Sequence, residues 1–196
     1  MRALKGAGKW LVVSEHDGFD RETSRTFIHN GVPCFSQHLS WRGDGRLASK
    51  SSYAQGELLR SERFAYDTLD RLQSYTCEAS DIAHCPRDNT GTAIKAQQYS
   101  WDALDNLISC TSTPFTGDEI TQTFAFDKQD DPTSMTSVQQ GDQKTDLNWN
   151  SNGHLQVDGQ QRTIDYTTIG QLSRVKDASG ELMARYESDG LQRLGA

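Results

Sequence analysis

The chain is poor in most features that announce a chemistry. It holds four prolines and four cysteines in 196 residues. No hydrophobic run approaches a membrane span, which needs about 20 apolar residues. No basic cluster offers to neutralise phosphates, and the net charge is −7, so nucleic acid is not an expected partner. Met1 to Lys9 carries Lys and Arg, but no apolar stretch of signal-peptide length follows. Apolar residues are scarce too: counted with glycine and without tyrosine they make up about 39%, below the roughly 45–50% of ordinary domains. That is thin for a deep core and suits a layer with one buried and one wet face.

Cys34, Cys77, Cys85 and Cys110 do not form a disulfide framework by their spacing, and they read mainly as reduced residues. Cys77 and Cys85 are near enough in sequence to close a loop, the less favoured alternative.

What the chain does have is an internal repeat. Phe64-Ala-Tyr-Asp-Thr-Leu-Asp-Arg-Leu72 returns closely as Tyr99-Ser-Trp-Asp-Ala-Leu-Asp-Asn-Leu107. Looser copies are centred on His16, Trp41, Phe126, Trp149, Tyr166 and Tyr186. Each has an aromatic residue or its substitute, four or five turn residues, and then Leu in most copies. A repeat of this kind outranks other signals of fold. The starts are spaced irregularly, which excludes a fixed solenoid period and favours hairpin arms of varying length.

The turn chemistry is explicit. Asp67 and Asp102 stand where a first turn residue accepts hydrogen bonds from the backbone that follows. Gly153 and Gly170 stand at the fourth position, where a left-handed backbone is free of steric cost for glycine. Trp41 with Leu47, Tyr66 with Leu72, Trp101 with Leu107, Trp149 with Leu155, and Tyr166 with Leu172 are expected to face each other across a hairpin. Phe126 and Tyr186 occupy the aromatic position of their copies. The fold class is therefore all-β, built of antiparallel hairpin repeats.

Along the chain, strands are expected at Trp10–Val13, Ser24–Ile28, Val32–Leu39, 57–66, 93–101, 120–126 and 135–138. Asn30-Gly31 is a strong hairpin signal. Residues 49–56 read as a polar turn region, 57–66 as a strand with Arg60, Glu62 and Arg63 outward, and 77–91 as the longest loop. A helix over 54–64 is the less favoured alternative.

Candidate chemistry fares poorly. The five histidines form no paired metal motif, and His84-Cys85 with Cys77 lacks the close pairs of structural zinc sites. The segment from Asn148 to Gly159 has the rhythm of a calcium loop but neither its first acid nor its last. The many Asp residues fall at turn positions, which accounts for them without acid–base catalysis. No cofactor is expected. The aromatic row reads as core-facing, with a ligand-stacking stripe as the alternative.

Tyr66-Asp-Thr-Leu-Asp-Arg-Leu72 and Trp101-Asp-Ala-Leu-Asp-Asn-Leu107 resemble the YD repeats of Rhs proteins. His16-Asp-Gly-Phe-Asp-Arg-Glu-Thr-Ser-Arg25 is similar to another Rhs segment. Cys85-Pro86, Tyr99 to Cys110, and Asp130-Asp-Pro-Thr-Ser-Met-Thr-Ser-Val138 resemble repeats of insecticidal toxin complex C subunits and related Rhs effectors. The likeness covers nearly all of residues 1–196, taken as one YD-repeat shell segment of a longer protein. It implies part of a curved β-ribbon cocoon around a C-terminal toxin domain, and no catalysis by the wall itself. The implied partners are the rest of the shell, the enclosed toxin, and a B-type shell subunit or secretion apparatus. The implied location is the cytoplasm before release, then delivery to target cells by a route without a signal peptide. The alternative is an extracellular carbohydrate-binding or adhesion module built on the same repeats.

Overall fold

Short apolar–polar alternations separated by Asp- and Gly-containing turns can only pair with their neighbours, and they do so here. The computed structural model describes residues 8–88 and 90–188. Among the described residues the one helical element is a 3-10 turn, Ile82–His84; the rest is strand and connection. The chain divides into two compact units, Met1–Tyr99 with Thr111–Ile120, and Ser100–Cys110 with Thr121–Ala196.

In the first unit the strands are β1 (Trp10–His16), β2 (Glu22–His29), β3 (Val32–Trp41), β4 (Leu47–Ala54), β5 (Glu57–Tyr66), β6 (Leu72–Ala79) and β7 (Ile94–Trp101), which runs to its boundary. Each pairs antiparallel with the next in chain order. β8 (Leu107–Pro114) ends in this unit. In the second unit, β9 (Ile120–Ala125), β10 (Ser137–Gln140) and β11 (Gln143–Asp146) form one meander. A second meander holds β12 (Asn148–Trp149), β13 (Leu155–Val157), β14 (Thr163–Tyr166), β15 (Leu172–Lys176) and β16 (Leu182–Arg185).

Two readings of the sequence are corrected. Residues 49–56 are mostly strand β4, and only Gln55 and Gly56 turn, both at positive φ. The serines of β4 satisfy their backbone on both sides, against β3 and β5, so a polar segment holds as a central strand. Glu62 points inward at 5% exposure. It lies opposite Cys77 and on the face of Phe64, two residues on, where strand alternation rather than charge decides its side.

The core of the first unit lies where the connection after β6 folds back. Tyr75, Cys77, Cys85, Ala93 and Ile94 form it, with Phe64, Ala79, Tyr99 and Phe115 against it. Asp81 caps the 3-10 turn by accepting from the Ala83 N–H at 2.8 Å, and Ile94 N–H donates to Pro86 O at 2.8 Å. Arg60 Nη1 donates to His84 O at 2.9 Å, tying the connection to β5. Burial is thin elsewhere, as the low apolar content requires.

Candidate functional site

The feature that recurs is the turn between strands. Nine described turns share one geometry, beginning at Asp17, Arg42, Asp67, Asp88, Asp102, Asn150, Asp158, Thr167 and Asp177. In each, the first N–H donates to the fifth carbonyl and the fourth N–H donates to the first carbonyl. The fourth residue is always left-handed: Asp20, Gly45, Asp70, Gly91, Asp105, Gly153, Gln161, Gly170 and Gly180 have φ from 59° to 89°. Glycine takes this conformation freely and Asp tolerates it better than most residues, which is why these types occupy eight of the nine positions, Gln161 being the exception.

The first side chain stitches the turn. One Asp67 oxygen accepts from the N–H groups of Leu69 and Arg71, both at 2.9 Å, and the other accepts from Arg71 Nε at 2.8 Å. Asp17 with Arg21 and Asp158 with Arg162 repeat this arrangement. Asp102 uses Asn106 in place of arginine, and Asn106 also donates to Pro132 O at 2.9 Å. In the Arg42 turn the acid moves two places on, to Asp44. Thr167 keeps one bond, from the Gln171 N–H.

These bonds fix the ionisation of the acids. Burial pushes the Asp67 carboxyl up, but the Arg71 and Leu69 N–H groups and the Arg71 guanidinium hold it below its ordinary value. At Asp17 the Arg21 side chain is the largest cause of the same downward shift. At Asp177 it is the Ser179 hydroxyl. Carboxylates held ionised by the backbone that follows them are turn anchors and poor proton donors.

The aromatic residues join one turn to the one before. Tyr66 OH donates to Leu47 O at 3.0 Å, and Trp41 Nε1 donates to Glu22 O at 2.8 Å. In the second unit, Tyr166 OH donates to Leu155 O at 3.0 Å, and Trp149 Nε1 to Met135 O at 2.6 Å. Three of these four acceptors open the strand that follows the preceding copy's turn. The fourth, Met135, lies after the irregular Phe126 segment. Trp41 pairs with Leu47, Tyr66 with Leu72, Trp149 with Leu155 and Tyr166 with Leu172. A register shift precedes the aromatic each time, swinging its ring toward the neighbouring turn. Arginines cover the rings: Arg21 lies 5.7 Å from the Trp41 ring centre, and Arg46 and Arg42 lie 5.4 and 6.0 Å from Tyr66.

Trp101, Asp102 and Leu107 are half-buried around the Asp102 turn. Gly170 lies under His154, which stacks on Tyr166 at 4.6 Å. Phe126 falls beyond β9, and its segment closes differently: Asp127 accepts from the Thr136 hydroxyl and Asp131 from Ser134 and Thr133. Pro132 stands there in place of Leu and has no N–H to give a ladder. Tyr186 is exposed at 37%, and its Leu194 partner lies outside the described residues. Asn89 of the Asp88 turn also lies outside them.

Sequence reading missed the turns at Asp88 and Asp158, and took the Asp177 turn only as a Ser179-Gly180 hairpin. Arg87, Val157 and Lys176 precede these acids, so a search keyed on an aromatic passes over them. The acid with a left-handed residue three places later is the better signal. Among the described residues, no group of three or more His, Cys, Asp or Glu side chains is placed to hold a metal ion. All four cysteines are thiols. No helix of the described residues is long and apolar enough to cross a membrane.

Residues 5–196 match the family model of the teneurin YD-shell. The chain belongs to the teneurin YD-shell family. Comparison with curated proteins finds no match. Among solved structures, this YD-shell chain is similar to the Photorhabdus luminescens Tc holotoxin pore carrying a TccC3 variant, at 14% identity and a TM-score of 0.64, covering 96% of this chain and 11% of that one. It is also similar to the crystal structure of TcdB2-TccC3-TEV, at 16% identity and a TM-score of 0.63, covering 96% and 12%. At these identities the likeness is one of fold. The YD-shell chain spans about a tenth of the length of the solved chains it matches.

Proposed function

We propose that this YD-shell chain is a stretch of wall in a larger Rhs or toxin-complex-like container, which encloses a C-terminal toxin domain and performs no catalysis itself. The observation that carries the reading is the bond from each of four aromatic side chains to a carbonyl of a preceding repeat or segment. Such bonds couple one repeat to the next along the wall. The acids that would be needed for chemistry are spent on their own turns.

The partners of this reading are the remainder of the shell and the enclosed toxin, with a B-type shell subunit or a secretion apparatus at assembly. The protein is made in the cytoplasm and delivered to target cells. A carbohydrate-binding module is the less favoured reading, because arginines lie over the Tyr66 and Trp41 rings, on a face that a sugar would stack against.

The test is protease protection in the full-length protein that carries this segment. The C-terminal region is expected to survive digestion in the intact protein and to be degraded when released by denaturant. Equal digestion in both states refutes enclosure.

A further inference from the structure

Cys77 and Cys85 approach each other from two separate pieces of chain. Cys77 lies in β6 and Cys85 directly after the 3-10 turn, and both belong to the one buried cluster of the first unit. Their exposures are 2% and 5%, and the two side chains pack in the same buried cluster. Tyr75, whose hydroxyl donates to Glu62 at 3.0 Å, belongs to the same cluster. Cys85 Sγ–H is held weakly by Asp81 O at 3.8 Å. The two thiols differ in access. Cys85 lines a cavity of about 300 Å³ with Phe35, Leu59, Arg60 and His84, whereas Cys77 does not reach it.

We infer that Cys77 and Cys85 are an oxidisable pair, with Cys85 the entry point for a small anionic disulfide such as oxidised glutathione. Arg60 supplies the attraction for its carboxylates. Its bonds to Glu62 and His84 O use two of five N–H donors. The Cys85 thiol loses its proton and its sulfur attacks one sulfur of the disulfide. That S–S bond breaks, and the first glutathione leaves and takes up a proton. Cys77 then loses its proton and attacks Cys85 Sγ in the mixed disulfide, and the second glutathione leaves in the same way. Two protein thiols are oxidised to one disulfide, and one glutathione disulfide is reduced to two thiols. Burial holds the Cys77 thiol above its ordinary pKa, which suits the second step, where its target lies in the same buried cluster, better than the first. The product pins the connection after β6 to the sheet.

The experiment equilibrates the full chain with oxidised glutathione in native buffer, quenches with iodoacetamide, and maps tryptic peptides. Trypsin cuts after Arg71 and Arg87, so residues 72–87 carry both cysteines in one peptide. That peptide is expected to be two hydrogens lighter and unalkylated, and to regain two alkylation sites after dithiothreitol. Early time points are expected to show one glutathionyl group on Cys85, and Cys77→Ala to stop at that species. A wild-type peptide that keeps both thiols in native buffer but oxidises in urea overturns the inference, as does a mixed disulfide that never resolves. A first glutathionyl group on Cys77 overturns the assigned order. The wild-type time course decides all three even if the variant does not fold.

Discussion

Glu62 is a buried carboxylate surrounded by three donors. Lys50 Nζ lies at 3.1 Å, Arg60 Nε at 3.0 Å and Tyr75 OH at 3.0 Å. Its side chain is 7% exposed, while those of Lys50 and Arg60 keep 26% and 29%. Glu62→Gln retains the shape and removes the charge. Breaking a fully buried pair costs about 3–5 kcal/mol, because the partner is left uncompensated. Here both cations reach water, which recovers part of that cost, so about 2–3 kcal/mol is expected. With a urea dependence of about 2 kcal/mol/M, the midpoint of unfolding falls by about 1–1.5 M. Tryptophan fluorescence across a urea series reads the shift. Tyr75→Phe, which removes a hydrogen bond to a charged group, is expected to cost about 1.5–3 kcal/mol in the native chain and clearly less in the Glu62→Gln background. A midpoint change under about 0.3 M for Glu62→Gln, or full additivity of the two substitutions, refutes the buried-charge argument.

Tyr66→Phe and Tyr166→Phe each remove one bond between neighbouring repeats and are expected to lower stability by about 1 kcal/mol, read by the same urea series; no change in either would show that the hydroxyls bind nothing of consequence. Gly170→Ala is expected to cost about 1–2 kcal/mol, because φ is +81° and a Cβ would meet His154 Cε1 at 2.9 Å, whereas Gly153→Ala meets no atom and loses only the backbone term. Equal losses at the two glycines would count against the His154 contact. The turn acids Asp17, Asp67 and Asp177 bind protons more weakly when folded than at their unfolded value of about 3.9. Their contribution is present in full above about pH 5 and is lost as pH falls through that unfolded value and on through the depressed folded ones, so far-UV circular dichroism should show acid unfolding that Asp67→Asn makes less steep. A transition of unchanged steepness in that variant would remove Asp67 from the account.

Much of the fold was legible because each turn is specified locally. Asp67 needs only Leu69 and Arg71 to make its bonds, and both lie within four residues of it. The aromatic–Leu pairing likewise follows from the register of a single hairpin. What stayed hidden depends on residues far away in the chain. Glu62 looks outward by its charge, but it shares the face of Phe64 two residues on, opposite Cys77, and it is buried there because Lys50, Arg60 and Tyr75 satisfy it. The polar segment 49–56 looks like a loop until strands on both sides satisfy its backbone. The acceptors of the aromatic bonds, Glu22, Leu47 and Leu155, were invisible for a different reason: the acceptor is a carbonyl, which every residue owns.

An active site concentrates unusual residues in one place, so sequence can hint at it. Here the bonds that matter lie between repeats, and one partner in each is plain backbone. The other partner varies between Trp and Tyr because either ring brings an N–H or O–H to its far end, and Phe126, which brings neither, sits where the repeat geometry lapses. The selectable property of the aromatic position is therefore a donor at the end of a flat apolar side chain. Its service is to the neighbouring repeat, so the functional unit is the row of turns and the strands that connect them.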